Sequence, residues 1–166
     1  VAVKVIVVGG TGFLGSLALG ALRRVPGVEA WAASRRGEVK IDLADPATFS
    51  VLDGADVVID LADATTTPPD ALASHCLRKG LLLIETTSDL PAIDRIAQAL
   101  RSAPGEGTVV LGAGIFTGLS NLVAHAVTKA GGSVRLGIRS SPYSGAGKGT
   151  VSLMASAVWD EDRPAA

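Results

Sequence analysis

Val3-Lys4-Val5-Ile6-Val7-Val8-Gly9-Gly10-Thr11-Gly12-Phe13-Leu14-Gly15 is the stretch on which the fold turns. Its first half is β-branched apart from one lysine, too apolar for either side to face water, which predicts a strand buried inside a parallel sheet. Gly10, Gly12 and Gly15 then satisfy G-x-G-x-x-G directly after that strand, at the opening of a helix-like stretch from Gly12 to Arg24. In such a turn one glycine permits the tight bend, one lets the backbone approach a pyrophosphate, and one brings helix onto strand. An anion lying there meets free N–H groups and the positive end of the helix dipole. A glycine-rich βα turn can also serve packing alone. Its position after a buried strand is what turns the reading toward a dinucleotide.

Strand-sized apolar runs recur at Val28 to Ala33, Val39 to Ile41, Asp56 to Leu61, Leu81 to Glu85 and Thr108 to Leu111. Between them lie helix-like stretches at Pro46 to Leu52, Pro69 to Lys79, Leu90 to Arg101 and Gly118 to Ala130. Pro26-Gly27 and Lys79-Gly80 read as helix stops, and Asp45-Pro46 as a capped start. Alternating strands and helices imply an α/β fold: a doubly wound parallel sheet of the NAD(P)-binding Rossmann kind, with its ligand at the carboxyl ends of the strands. This domain is expected over residues 1–132. After Gly131-Gly132 the pattern changes to a strand-like Ser133 to Arg139, a glycine-rich loop through Gly149, and a helix-like Thr150 to Trp159. Residues 133–166 thus leave the alternating pattern, and the polar Asp160 to Ala166 reads as a tail or, by preference, as a cut through a longer protein.

Composition narrows the functions. The 166 residues are 48% apolar and 19% charged, with a mean hydropathy of +0.41, so the chain folds rather than staying disordered. A net charge of −1 offers no basic excess to hold nucleic acid. One cysteine, Cys76, excludes an internal disulfide and suits a reducing compartment, so a cytoplasmic location is expected. No apolar run reaches the roughly 18 residues of a membrane span. Twenty glycines gather at the ends of apolar runs, where turns and phosphate loops need them.

The second strand ends in Ala33-Ser34-Arg35-Arg36, where an NAD-binding domain usually sets Asp or Glu against the ribose hydroxyls. A carboxylate there repels a 2′-phosphate, whereas a serine hydroxyl and guanidinium groups bond it, which favours NADP over NAD. At about 1.5–3 kcal/mol for a hydrogen bond to a charged group, one such contact favours NADP by roughly ten- to a hundredfold. The bland alternative is a pair of arginines on a solvated loop. Asp42, after the short third strand, is either an acceptor for the adenine amino group or a helix-start aspartate. Leu61-Ala62-Asp63 and Thr86-Thr87-Ser88-Asp89 follow the fourth and fifth strands, where the cofactor wall should run, although Asp89 is also placed to cap the next helix.

Catalytic constellations are scarce. The short-chain dehydrogenase pair needs tyrosine and lysine four apart on one helical face, but Tyr143 and Lys148 are five apart in a glycine-rich loop. The P-loop signature is missing, because Gly149 follows Lys148. His75, Cys76 and His125 have no metal-ligand spacing, so no metal is expected and no catalytic residue is assigned.

Gly9-Gly10-Thr11-Gly12-Phe13-Leu14-Gly15, followed much later by Gly112-Ala113-Gly114-Ile115-Phe116-Thr117-Gly118-Leu119-Ser120-Asn121-Leu122, resembles the saccharopine dehydrogenase-like oxidoreductases. The stretch from Ser140 to Val151 is similar to the region where that family enters its second domain. Phe116-Thr117 stand where the family commonly has Asp-Pro, so no role of that aspartate is carried over. The resemblance implies an NADP(H)-binding domain of an oxidoreductase that passes hydride to or from a small molecule, with residues 133–166 as the beginning of a second, α+β domain that shapes the substrate site and a homodimer contact. Two other readings share the glycine turn. One is a non-catalytic NADP-sensing module that regulates a protein partner; the other is an atypical short-chain dehydrogenase or epimerase, which lacks the tyrosine and lysine of that chemistry.

Overall fold

The computed structural model describes residues 1–64, 66–67, 69–114, 118–128, 132–135 and 137. Six strands, β1 (Val3–Val8), β2 (Val28–Ser34), β3 (Val39–Lys40), β4 (Val57–Asp60), β5 (Leu82–Glu85) and β6 (Thr108–Val110), form one sheet in the order β3-β2-β1-β4-β5-β6. Every pairing is parallel. Helices α1 (Phe13–Leu22), α2 (Asp70–Arg78), α3 (Leu90–Ser102) and α4 (Ser120–Val127), with a 3₁₀ helix at Pro46–Leu52, make the connections. This is the doubly wound Rossmann order, and the direction of winding reverses between β1 and β4.

Both faces of the sheet are covered, which is why its strands carry so little polarity. Val5, Val7, Ala30 and Ala32 pack beneath Leu19 of α1. Ile6, Val8, Ala33, Val58 and Leu83 pack on the other side against Phe49, Leu72, Cys76 and Ile96. At the outer end of that face the His75 ring meets Phe49 edge-on and bonds Asp53 at 3.2 Å, and Lys79 reaches Asp53 at 2.7 Å. These contacts fasten α2 to the 3₁₀ helix, so His75 serves packing. The Cys76 thiol is buried, and burial together with the charge of Asp60 pushes it up to about 12.

The helix-like stretch at Pro46 to Leu52 forms over those residues, but as a 3₁₀ helix. Thr48 N–H bonds the Asp45 carbonyl at 3.0 Å and Asp53 N–H the Ser50 carbonyl at 3.1 Å, the three-residue step of the tighter helix, and Phe49 and Leu52 are its buried residues. Asp45 caps it by accepting from Ala47 N–H at 3.1 Å. Asp89 caps α3 in the same way, accepting from Ala92 N–H at 3.0 Å, with Pro91 in the first turn. Asp89→Ala is therefore expected to cost about 1 kcal/mol of stability, measured by urea unfolding, with a tolerant Asp89→Ser as the control.

The strand-like reading of Ser133 to Arg139 is not met where the structure describes it, since residues 132–135 carry no regular element. The remainder of that stretch and the helix-like Thr150 to Trp159 lie largely or wholly outside the described residues. Among the described residues no helix is long and apolar enough to cross a membrane.

Candidate functional site

The glycine turn sits at the carboxyl end of β1, where the winding reverses. Gly9 has φ +73, a left-handed conformation that side chains rarely adopt, and a Cβ there would lie 2.9 Å from the Leu61 and Ala62 backbone. A Cβ on Gly10 would strike the Val7 carbonyl at 2.7 Å and Ala32 Cα at 2.8 Å. One on Gly15 would run into the Gly9 carbonyl and Gly10 Cα, so this glycine seats α1 on the turn. Gly12 differs. Its Cβ would meet only the Gly9 carbonyl, at 3.1 Å, and the residue is exposed. Gly12 is also the N-cap of α1, and no side chain caps that helix, so the first-turn N–H groups of Phe13, Leu14 and Gly15 have no side-chain acceptor among the described residues. Phe13 and Leu14 themselves are about half exposed.

Ser34 closes β2 beside this turn. Thr11 Oγ1 donates to Ser34 Oγ at 3.1 Å, and Arg36 N–H donates to the same oxygen at 3.2 Å. The chain bends back at Gly37, where a Cβ would lie 2.7 Å from the Ala32 carbonyl. Glu38 then pairs with Arg23 at 2.8 Å and accepts from Ala32 N–H at 3.3 Å. The Arg23 hydrogen bond, and after it the Ala32 N–H, hold the Glu38 carboxyl below the ordinary range. The turn after β2 is thus pinned at both ends. Arg35 and Arg36 are exposed and join no ion pair among the described residues.

The loops after β4 and β5 complete the rim. Leu61 N–H donates to the Val8 carbonyl at 3.0 Å, and Leu61-Ala62 lies against Gly9. The Asp63 carbonyl accepts from the N–H groups of Thr66 and Thr67 at 3.2 and 3.1 Å. Thr86 Oγ1 donates to the Asp60 carbonyl at 2.7 Å, and Thr87 Oγ1 accepts from Asp89 N–H at 3.1 Å. Beyond β6, Ala113 N–H donates to the Glu85 carbonyl at 2.9 Å. A cavity of ≈ 490 Å³ opens there, lined by Val110, Leu111, Gly112, Ala113, Gly118 and Leu122 among others.

Gly9 to Gly15, Ser34, Leu61-Ala62 and Thr86 therefore converge on one end of the sheet, as their order in the sequence predicts. Asp42 follows at the same end, on the edge of the sheet, where the N–H of the preceding Ile41 donates to the Ser34 carbonyl at 3.2 Å. It lies past the edge strand β3, its carboxylate accepts from Ala44 N–H at 3.0 Å, and its backbone is bracketed by Thr48 Oγ1 at 3.0 Å. These bonds close a local turn ahead of the 3₁₀ helix, whose cap is Asp45. Asp89 likewise acts as a cap.

Two residues of this region escape sequence reasoning. Asp60 and Glu85 end β4 and β5, face each other in register, and are 2% and 1% exposed. Burial raises the Asp60 carboxyl, against the Ala62 N–H that lowers it. Burial first and the charge of Asp60 second push Glu85 up to about 8. The available signal was a carboxylate closing each of two apolar runs, Val-Val-Ile-Asp and Leu-Leu-Ile-Glu.

Sheet order, glycine turn and uncapped α1 define a Rossmann-type α/β domain. No family model matches the chain, and no curated protein does. Solved structures similar to it include dTDP-4-dehydrorhamnose reductase from Yersinia enterocolitica, at 16% identity and TM-score 0.46 over 61% of this chain and 50% of that one. A protein from Listeria innocua follows at 16% identity and TM-score 0.43, over 65% and 75%. Aspartate dehydrogenase from Thermotoga maritima is 17% identical with TM-score 0.44, over 66% and 45%. The chain thus spans about half the length of the reductase and slightly less of the dehydrogenase.

Proposed function

We propose that this chain is the NADP(H)-binding domain of an oxidoreductase, similar to the saccharopine dehydrogenase-like enzymes, that transfers hydride to or from a small molecule. The observation that carries the reading is the cradle at Gly9 to Gly15: side chains are excluded at Gly9, Gly10 and Gly15, and the bare backbone of Gly12 borders an uncapped helix start. Such a surface fits a pyrophosphate, which accepts from the uncapped first-turn N–H groups and complements the helix dipole. Ser34, Arg35 and Arg36 then take the 2′-phosphate, and the loops at Leu61-Ala62-Asp63 and Thr86-Thr87 wall the crevice toward the nicotinamide. When bound, the cofactor supplies the redox chemistry, and the chain needs only to orient it and exclude water.

The cavity between β6 and α4 lies on the far side of those loops and is the substrate side in this reading. Residues from 133 onward belong to a second domain that completes it and supplies the dimer contact, in a cytoplasmic enzyme. Phe116-Thr117, at the family's usual Asp-Pro position, lie outside the described residues.

Trp31 lies opposite Ile6 on β2, three residues before Ser34, and reports on binding. Titration with NADPH is expected to change its fluorescence and saturate at submillimolar concentration. A folded sample that shows no saturation with NADPH or NADH, by fluorescence and by calorimetry, would sink the proposal.

A further inference from the structure

Asp60 and Glu85 are the buried charged residues of the described chain, and they are register partners on adjacent strands. Each carboxyl makes the same local bond. One oxygen accepts the N–H two residues on, from Ala62 at 2.9 Å and from Thr87 at 2.9 Å, so each folds back the loop that leaves its own strand. Thr86 Oγ1 ties the two loops together through the Asp60 carbonyl. The second oxygen of Glu85 is buried and has no partner among the described residues. A buried carboxylate oxygen with no donor, beside another carboxylate, is a poor place for a second negative charge.

The groups that face the pair leave its balance to itself. From α2 comes the Cys76 thiol, which stays neutral. The buried residues of α3 are Ala92 and Ile96, and the strand residues of β6 are Thr108 to Val110, none of them titratable. Asp63 and Asp89 belong to the loops themselves, Asp89 as the α3 cap.

We propose that Asp60 and Glu85 hold a single proton between them and thereby set the shape of the two loops that line the cofactor crevice, so that losing this proton weakens dinucleotide binding. The inference rests on the dinucleotide reading above. With one proton the pair carries one charge, and both loop N–H groups keep their acceptors. With none, two buried like charges repel, and they separate by drawing Ala62 and Thr87 with them. The added charge also opposes an anionic cofactor. Both residues act as positioning residues.

Stability follows with a definite sign. Glu85 holds its proton in the folded chain at a pH where the unfolded chain has released it, so the stability it contributes is full below about 4.5, is lost as pH rises toward about 8, and then levels. The test is NADPH titration by calorimetry from pH 6.5 to 9, with urea unfolding from pH 5 to 9, on the wild type, Glu85→Gln and Asp60→Asn. Wild-type affinity is expected to weaken about tenfold across the range, the equivalent of one unit of linkage. Either variant leaves at most one charge in the pair, so both are expected to bind with less than about twofold change. The urea midpoint should fall with pH up to about 8 in the wild type, whereas in Glu85→Gln it should fall only up to about 6, where the buried Asp60 carboxyl has titrated, and stay level above that. The 2′-phosphate of the cofactor titrates alike in all three and cancels in the comparison. Wild-type binding that is flat with pH overturns the loop coupling and leaves the dinucleotide reading intact. Midpoints that depend on pH equally in the wild type and Glu85→Gln overturn the proton pair. Absence of NADPH binding at every pH overturns the coupling together with the dinucleotide reading, and the midpoints then judge the proton pair alone.

Discussion

Gly12→Ala is expected to leave the chain folded and to weaken NADPH binding at least about tenfold, whereas Gly15→Ala is expected to cost about 3 kcal/mol of stability. The contrast follows from what each new methyl group meets. At Gly15 it runs into the Gly9 carbonyl and Gly10 Cα, two backbone groups held by the sheet, so α1 must lift off the turn. At Gly12 it approaches only the Gly9 carbonyl, at 3.1 Å, in a backbone conformation of φ −79 and ψ 177 that any residue adopts. A shift of a few tenths of an ångström accommodates it. The methyl group instead stands on the surface that a pyrophosphate must touch, between the ligand and the N–H groups of the first helical turn. Urea unfolding and NADPH titration on the same two samples separate the effects. A Gly12→Ala protein that binds NADPH like the wild type would move the phosphate site away from this turn. A Gly15→Ala protein of unchanged stability would mean that α1 is not seated as tightly as the contacts indicate.

That pair of substitutions also marks what local sequence can say. The strand, glycine turn and helix from Val3 to Leu22 are adjacent in the chain, so their spacing carries their geometry, and G-x-G-x-x-G alone assigns the two glycines different duties. The strands likewise announce themselves, because a sheet covered on both faces turns each of them into an apolar run. Asp60 and Glu85 were invisible for the opposite reason. They lie 25 positions apart in the sequence and become neighbours only through the β4–β5 register, which no spacing rule encodes. Read singly, each is only a carboxylate at or next to the end of an apolar run, Asp56 to Leu61 and Leu81 to Glu85. The 3₁₀ helix at Pro46–Leu52 shows a smaller failure: its length, its capped start and the spacing of Phe49 and Leu52 suit either helix type, and only the backbone bonds from Thr48 to Asp45 and from Asp53 to Ser50 mark the tighter one. Helix α4 is the reverse case. Its sequence is apolar, yet none of its residues is buried among the described part, so its amphipathic pattern has no visible partner to explain it.

Arg35→Glu is expected to weaken NADPH binding by about ten- to a hundredfold while leaving NADH within about threefold of the wild type, and Arg35→Glu with Arg36→Glu to reverse the preference. The argument is geometric before it is electrostatic. Ser34 Oγ accepts from both Thr11 Oγ1 and Arg36 N–H, so its lone pairs are engaged and its own proton remains to be given to an anion. The same bonds fix the start of the turn, and the Glu38 contacts with Arg23 and Ala32 fix its end, so the two arginines project from a short, held segment. Neither is spent on a carboxylate of the described chain. A 2′-phosphate thus meets one hydroxyl donor and two unpaired guanidinium groups, whereas a 2′-hydroxyl gains little from either charge. Because both arginines are exposed, the preference should shrink as salt rises toward about 1 M, where the screening length falls to about 3 Å. Equal NADPH and NADH affinities in the wild type at low salt would reduce Arg35 and Arg36 to solvated surface, and the glycine turn would then have to carry the cofactor without discriminating at the ribose. A preference that persists unchanged at high salt would instead mean that the phosphate is held mainly by the Ser34 hydroxyl and backbone N–H groups, with the guanidinium groups adding little.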